Sequence, residues 1–102
     1  MKKIIYRKMY NTETATMVAS YTNGYGCGDF HYICEELYRK KTGEYFLYGR
    51  GGAMTKYAEY CGANSWSGSC AIFPLIEADA QAWVMEHCDA DTYIEIFGEV
   101  EE

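Results

Sequence analysis

The sequence predicts a single α+β domain over residues 1–102: a small antiparallel sheet of three to four strands including a central hairpin, with short helices, two of them C-terminal. Three observations predict it. Two aromatic-rich runs, 30–39 and 45–48, flank the short turn Lys40-Lys41-Thr42-Gly43-Glu44, where Gly43 can take positive φ at little cost, which is how three- to five-residue hairpins close. Between Glu77 and Cys88, the positions Ala80, Trp83, Val84 and His87 recur at i, i+3, i+4, i+7, the spacing of an amphipathic helix. The order strand, helix, hairpin, strand, two helices contains no regular βαβ alternation, so an antiparallel sheet with helices on one side fits. At 102 residues there is room for one core and no second.

In chain order, residues 2–10 read as a strand, because Ile4, Ile5 and Tyr6 favour a pleated surface and basic side chains interleave with them. Asn11 and Thr12 supply helix-capping oxygens, Glu13 suits the positive end of a helix dipole, and Ala15, Val18 and Ala19 recur at helical spacing. A short helix over residues 12–20 is therefore expected. Turn formers fill 22–29, which predicts a loop. Beyond the hairpin, Gly49, Gly51 and Gly52 break the strand, residues 54–60 form a helical turn or short helix, and 62–69 return to loop. Residues 70–75 are the last strand, with Pro74 marking its end or an edge position. Asp89 caps a second C-terminal helix over 90–97 and Gly98 ends it, leaving 100–102 as a frayed end.

Apolar residues make up 49% of the chain and charged residues 24%, a balance that builds a core and argues against disorder. Eleven Tyr, four Phe and two Trp are more aromatic rings than so small a core can hide, so some Tyr must reach the surface. The net charge of −6 is split lengthwise: all nine Lys and Arg lie at or before Lys56, and from Glu59 onward there are ten acidic residues and no basic one. The acidic stretch also holds Trp66, Ile72, Phe73, Leu75, Trp83, Tyr93 and Phe97, so it reads as folded rather than as a solvated tail. A folded acidic face repels a nucleic-acid backbone and attracts basic protein grooves, including those that normally hold nucleic acid. A second surface is also legible, because Arg39, Lys40, Lys41, Arg50 and Lys56 surround Tyr38, Tyr45, Phe46 and Tyr48. Cations beside aromatics can neutralise phosphates and stack bases, although a pI near 4.8 is far from the basic balance such a domain usually has.

No run approaches the roughly 20 apolar residues of a membrane span, and Arg7 and Lys8 interrupt any signal-peptide core, so a soluble, unexported protein is expected. In that setting Cys27, Cys34, Cys61, Cys70 and Cys88 are expected to be reduced. Their separations of 7, 27, 9 and 18 include no paired-ligand spacing, so neither a metal nor any other cofactor is expected. His87 reads as a packed or rim histidine. A Cys27–His31 dyad is conceivable, because Cys27 sits in a Gly-rich loop just before His31. Glu35 and Glu36 are neighbours on a strand and face opposite sides, which rules them out as a general acid/base pair.

The segments Tyr10-Asn11-Thr12-Glu13-Thr14-Ala15, residues 36–49 (Glu36-Leu37-Tyr38-Arg39-Lys40-Lys41-Thr42-Gly43-Glu44-Tyr45-Phe46-Leu47-Tyr48-Gly49) and Asn64-Ser65-Trp66-Ser67-Gly68 resemble small acidic proteins of phages and mobile elements in Firmicutes. With the Pro74-Leu75 lead-in and the ending from Tyr93 to Glu99, the resemblance covers nearly the whole chain. In the family pattern a polar Thr follows Pro-Leu as a helix cap; Ile76 departs from it and weakens that cap. The mobile-element setting implies host-defence antagonism, and the chain looks like an anti-CRISPR protein against a type II RNA-guided nuclease, acting in the cytoplasm of a bacterial host cell.

Three functions follow as expectations. In the first, a non-enzymatic inhibitor binds a host protein or ribonucleoprotein through the acidic face, carried by Glu77, Asp79, Glu86, Asp89, Asp91 and Glu95 with Tyr93 and Trp66 as anchors. In the second, a small regulator contacts guide RNA or other nucleic acid through Arg39, Lys40, Lys41, Arg50, Lys56 and Tyr48. In the third, a thiol enzyme uses Cys27 or Cys61. The first is the principal expectation and assigns no catalytic residue.

Overall fold

A computed structural model of the chain describes residues 1–26, 29–60 and 66–98, with the side chains of 59, 60, 66 and 67 set aside. It is α+β. The strands are β1 (Lys2–Ile5), β2 (Lys8–Asn11), β3 (Thr16–Thr22), β4 (Ile33–Arg39), β5 (Tyr45–Gly51), β6 (Glu59–Tyr60), β7 (Trp66–Ser67) and β8 (Ser69–Leu75), followed by helices α1 (Glu77–His87) and α2 (Ala90–Phe97). The main sheet is antiparallel with order β3-β4-β5-β8; β1-β2 and β6-β7 form two small two-stranded sheets.

The central hairpin is β4-β5, closed by a turn in which Gly43 has φ +93° and the N–H of Lys40 donates to the carbonyl of Glu44 (2.7 Å). Alternation along its strands sorts two cores. On one face Leu37, Tyr45 and Leu47 meet Ala80, Trp83 and Val84 of α1, with Tyr93, Ile96 and Phe97 of α2 packed around them. On the other face Tyr38, Phe46 and Ile72 are covered by Tyr10 of β2, whose ring stands edge-on to Phe46 (centroids 5.5 Å). The order of layers is therefore helices, sheet, hairpin. Strand β8 lies at the edge of the sheet, which is where Pro74 is tolerated because it has no N–H to donate.

Five expectations from sequence need correction. Residues 2–10 are not one strand: Tyr6 and Arg7 take φ +50° and +67°, and this two-residue turn pairs Ile5 with Lys8. The hairpin lacks the usual Asn-Gly turn signal, so neither residue type announced it. The helix over 12–20 is replaced by a turn and β3. The Asn11 side chain accepts from the N–H of Glu13 (2.9 Å), an Asx turn that uses the same residue types as a helix cap. A register irregularity between Met17 and Ala19 accompanies Val18 and Ala19 both packing on the helix-side core, whereas Ala15 packs on the opposite core, so the helix-like spacing is shared between two faces. Strand β5 runs through Gly49 and Arg50 to Gly51 rather than breaking there. Residues 54–60 are turns leading into β6, not a helix. The predicted loop at 62–69 lies partly outside the described residues and otherwise gives way to β7 and the start of β8. The frayed end at 100–102 also lies outside them.

Both C-terminal helices stand where the sequence places them. Ile76 at the start of α1 provides no side-chain cap, as its apolar character requires. Asp89 does cap α2: its Oδ1 accepts from the N–H of Thr92 (2.9 Å), and Gly98 (φ +96°) ends the helix. Those hydrogen bonds from Thr92 hold the Asp89 carboxyl below its usual value. The cap therefore stabilises above the unfolded aspartate pKa of about 3.9 and is lost as pH falls through the lower folded value. Replacing Asp89 by Ala is expected to speed amide exchange at Thr92, while Asn, which keeps the acceptor, leaves it slow. Equal exchange in the two variants would refute the cap.

Candidate functional site

Two features distinguish this fold: a carboxylate inside the core and an acidic helical layer above it, whose carboxylates have no Lys or Arg partner within salt-bridge distance among the described residues. Glu35 on β4 is in phase with Leu37 and so points to the helix side, where only 1% of it remains exposed. One row of the sheet, Tyr21–Glu35–Gly49–Ala71, carries the arrangement. Trp83 Nε1 donates to Glu35 Oε1 (3.0 Å), while Lys56 Nζ (2.7 Å) and the Tyr57 hydroxyl donate to Oε2. His87 stacks on Tyr21 (centroids 4.0 Å), and its Nε2 stands 3.9 Å from Oε1, too far for a hydrogen bond.

Burial opposes ionisation of Glu35, but the hydrogen bonds from Lys56, Tyr57 and Trp83 outweigh it and hold the carboxyl below the ordinary glutamate range. Burial, with the adjacent carboxylate, pushes the Tyr57 hydroxyl far up, so it stays a donor. The anion is thus satisfied by donors from the 52–58 segment and from α1, and it fastens both to the sheet. Among the described residues no buried side-chain polar atom lacks a partner. From sequence alone Glu35 figures only as half of an excluded acid/base pair, and Lys56 only as part of a nucleic-acid surface. The available signal was the phase of Glu35, a carboxylate at a core position of an otherwise apolar and aromatic strand.

The six predicted carboxylates lie in the helical layer: Glu77, Asp79 and Glu86 on α1, Asp89 at the junction, Asp91 and Glu95 on α2. All six are exposed. Among the described residues none of them pairs with Lys or Arg; Glu86 lies 3.9 Å from His87 and Glu77 accepts from Gln81 (3.4 Å). Tyr93 is partly buried, its ring packed against Phe97 (centroids 5.0 Å). The Trp66 side chain lies outside the described residues.

Helix α1 is less one-sided than its spacing implies. Ala80, Trp83 and Val84 are buried, but Ala78, Ala82 and Met85 are apolar and exposed. Between the end of α1 and the start of α2 lies a cavity of ≈ 470 Å³ whose lining, from Met85, Cys88, Asp89, Ala90, Tyr93 and Ile94, is almost wholly apolar.

The predicted basic surface is dispersed. Lys56 is spent on Glu35. Arg39 lies over the Tyr45 ring on the helix side and lines a cavity that Glu95 also lines. Lys40 sits over the Tyr10 ring (4.3 Å) and 3.6 Å from Glu44, and Lys41 lines a cleft with Lys8 and Glu44. Arg50 projects from the opposite face, beside Cys34 (3.9 Å) and on the same side of β5 as Tyr48.

Cys34, Cys70 and Cys88 are free thiols. Cys34 and Cys70 both face Arg50 from either side across the sheet, two strand spacings or about 9.5 Å apart, beyond disulfide reach. Cys27 and Cys61 lie outside the described residues, so the conceived dyad does too; His31 is exposed, with Nδ1 3.3 Å from Asp29 Oδ1. Among the described residues no group of His, Cys, Asp or Glu converges as metal ligands, and no helix is long and apolar enough to cross a membrane. No protein-family model, no curated protein and no solved structure matches the chain.

Proposed function

We propose that this protein is a non-enzymatic inhibitor that sets its acidic helical layer into a basic groove of a host-defence complex, with a type II RNA-guided nuclease as the partner class that the sequence resemblance implies. One observation carries the reading: six exposed carboxylates share one layer of the fold and none has a Lys or Arg partner among the described residues. Uncompensated like charge is unfavourable in the isolated molecule and becomes favourable against a basic partner, where it speeds association and selects against acidic surfaces. Basic channels built for phosphates are natural counterparts.

The test is binding to a purified type II nuclease, with and without guide RNA, by the protein and by a variant with Glu77, Asp79, Glu86, Asp91 and Glu95 changed to Lys and Asp89 to Asn, which preserves the α2 cap. The expected result is a loss of affinity of about a hundredfold or more, with binding of the unaltered protein weakening steeply with salt. Undiminished binding by the variant rejects the reading. The alternative, nucleic-acid binding by a mobile-element regulator, draws on Lys8, Lys40 and Lys41 around one cleft and on Arg50 with Tyr48 elsewhere. Glu44 lies within that cleft and pairs with Lys8 and Lys40, which places this reading second.

A further inference from the structure

We infer that the outer face of the helical layer is a docking groove for a basic amphipathic helix of the partner, with Met85, Tyr93 and Ile94 receiving its apolar anchors. The inference rests on the acidic-face reading and narrows it from a charged surface to a groove and one kind of occupant. A helix with apolar residues on opposite sides is ordinarily partnered on both. In α1 the inner side has its partner in Leu37, Tyr45 and Leu47. The outer side has none among the described residues, although Ala78, Ala82 and Met85 form an i, i+4, i+7 stripe on it. Met85 is 64% exposed and Ile94 40% exposed, and together they border the ≈ 470 Å³ apolar cavity.

Shape and charge then select the occupant. The alanines keep the stripe low and let another helix approach closely, and the cavity at its end accepts larger side chains. Asp79 and Glu86, seven residues and about 10 Å apart along α1, border the stripe, and Asp89 lies in the cavity wall. A helix with Leu-like anchors on one side and Lys or Arg at i, i+7 flanking them answers both features. A second copy packed α1 against α1 would set carboxylates against carboxylates, since the chain has no Lys or Arg after Lys56.

The probe is a synthetic Leu/Lys peptide of about 18 residues with apolar positions at helical period, compared with a scrambled peptide of the same composition and with a Leu/Glu helix. Fluorescence anisotropy is expected to show binding of the Leu/Lys helix, about tenfold weaker binding of the scramble, and none of the Leu/Glu helix. Met85→Gln and Ile94→Gln, neutral changes at exposed positions checked by thermal melting, should each weaken the Leu/Lys peptide by about tenfold while leaving the charge of the face unchanged. Equal binding of helix and scramble overturns the groove and leaves the acidic-face reading standing. Failure of the Leu/Lys helix to bind overturns it as well. Self-association in sedimentation that Met85→Gln abolishes would replace the basic helix with a second copy. The acidic-face reading fails separately, by retained nuclease binding in the charge-reversed variant.

Discussion

Replacing Glu35 by Ala is expected to remove about 3–5 kcal/mol of stability, because it empties a packed core position and leaves the buried donors around it without their acceptor. Three donors lose their acceptor. The Lys56 ammonium can turn to water because its side chain is 62% exposed, so it contributes the smallest part of the loss. The Tyr57 hydroxyl and the Trp83 N–H cannot: the two residues are 5% and 8% exposed, and each buried unsatisfied donor costs about 1–3 kcal/mol. For a domain of this size the loss corresponds to a melting temperature lower by roughly 12 °C or more.

Glu35→Gln should fall between, since its amide oxygen still accepts one hydrogen bond while the charge facing Lys56 is gone. Acid provides an independent check. The folded carboxyl titrates below its ordinary value, so its stabilisation is fully present above the unfolded glutamate pKa of about 4.3 and disappears as pH falls through the folded pKa. Urea unfolding of the three proteins at neutral and acidic pH should therefore show the Gln variant losing less stability on acidification than the unaltered protein. A cost below about 1 kcal/mol for Glu35→Ala would mean that the cluster is incidental to the fold.

The sequence revealed those elements whose signals are local and unshared. The β4-β5 hairpin has aromatic runs around a glycine turn, and α2 has Asp89 before it and Gly98 after it; α2 stands as read and so does the hairpin's turn, although β4 begins at Ile33 rather than Phe30 and β5 continues to Gly51. Local signals with two meanings misled. Asn11 and Thr12 suit an Asx turn as well as a helix cap, and which they serve is decided by pairing of β3 with β4, a long-range fact. The Tyr6-Arg7 turn uses left-handed backbone at residues that do not favour it, so composition gave no warning.

The candidate sites divide along the same line. Exposure of the acidic residues could be read from their place on two periodic helices. Convergence on Glu35 could not, because Lys56, Tyr57 and Trp83 arrive from elements whose positions depend on the tertiary fold. The same dependence dispersed the basic surface: Arg39, Arg50 and Lys56 are near in sequence but lie on different faces or against different partners.

Gly49→Ala is expected to be nearly as damaging as loss of Glu35, although alanine ordinarily suits a strand at least as well as glycine. Gly49 has no positive φ to protect, so backbone conformation gives no reason for the glycine. Space does. A Cβ at this position would lie 1.9 Å from the Tyr57 hydroxyl oxygen and 2.2 Å from its Cζ, well inside any tolerable contact. The ring cannot simply swing aside, because its hydroxyl is bound to Glu35 and its body is 5% exposed. The added methyl must displace Tyr57, so the overpacking cost, typically 1–3 kcal/mol, adds to part of the cost of breaking the Tyr57–Glu35 hydrogen bond. A total of about 3 kcal/mol is expected in urea unfolding, against about 1 kcal/mol for Gly43→Ala, where φ is +93° but nothing lies within 4 Å. Combining Gly49→Ala with Glu35→Gln should cost less than the two changes added, because both act on the same hydrogen bond. Strict additivity, or a neutral Gly49→Ala, would show that Tyr57 is not held against the sheet by the carboxylate.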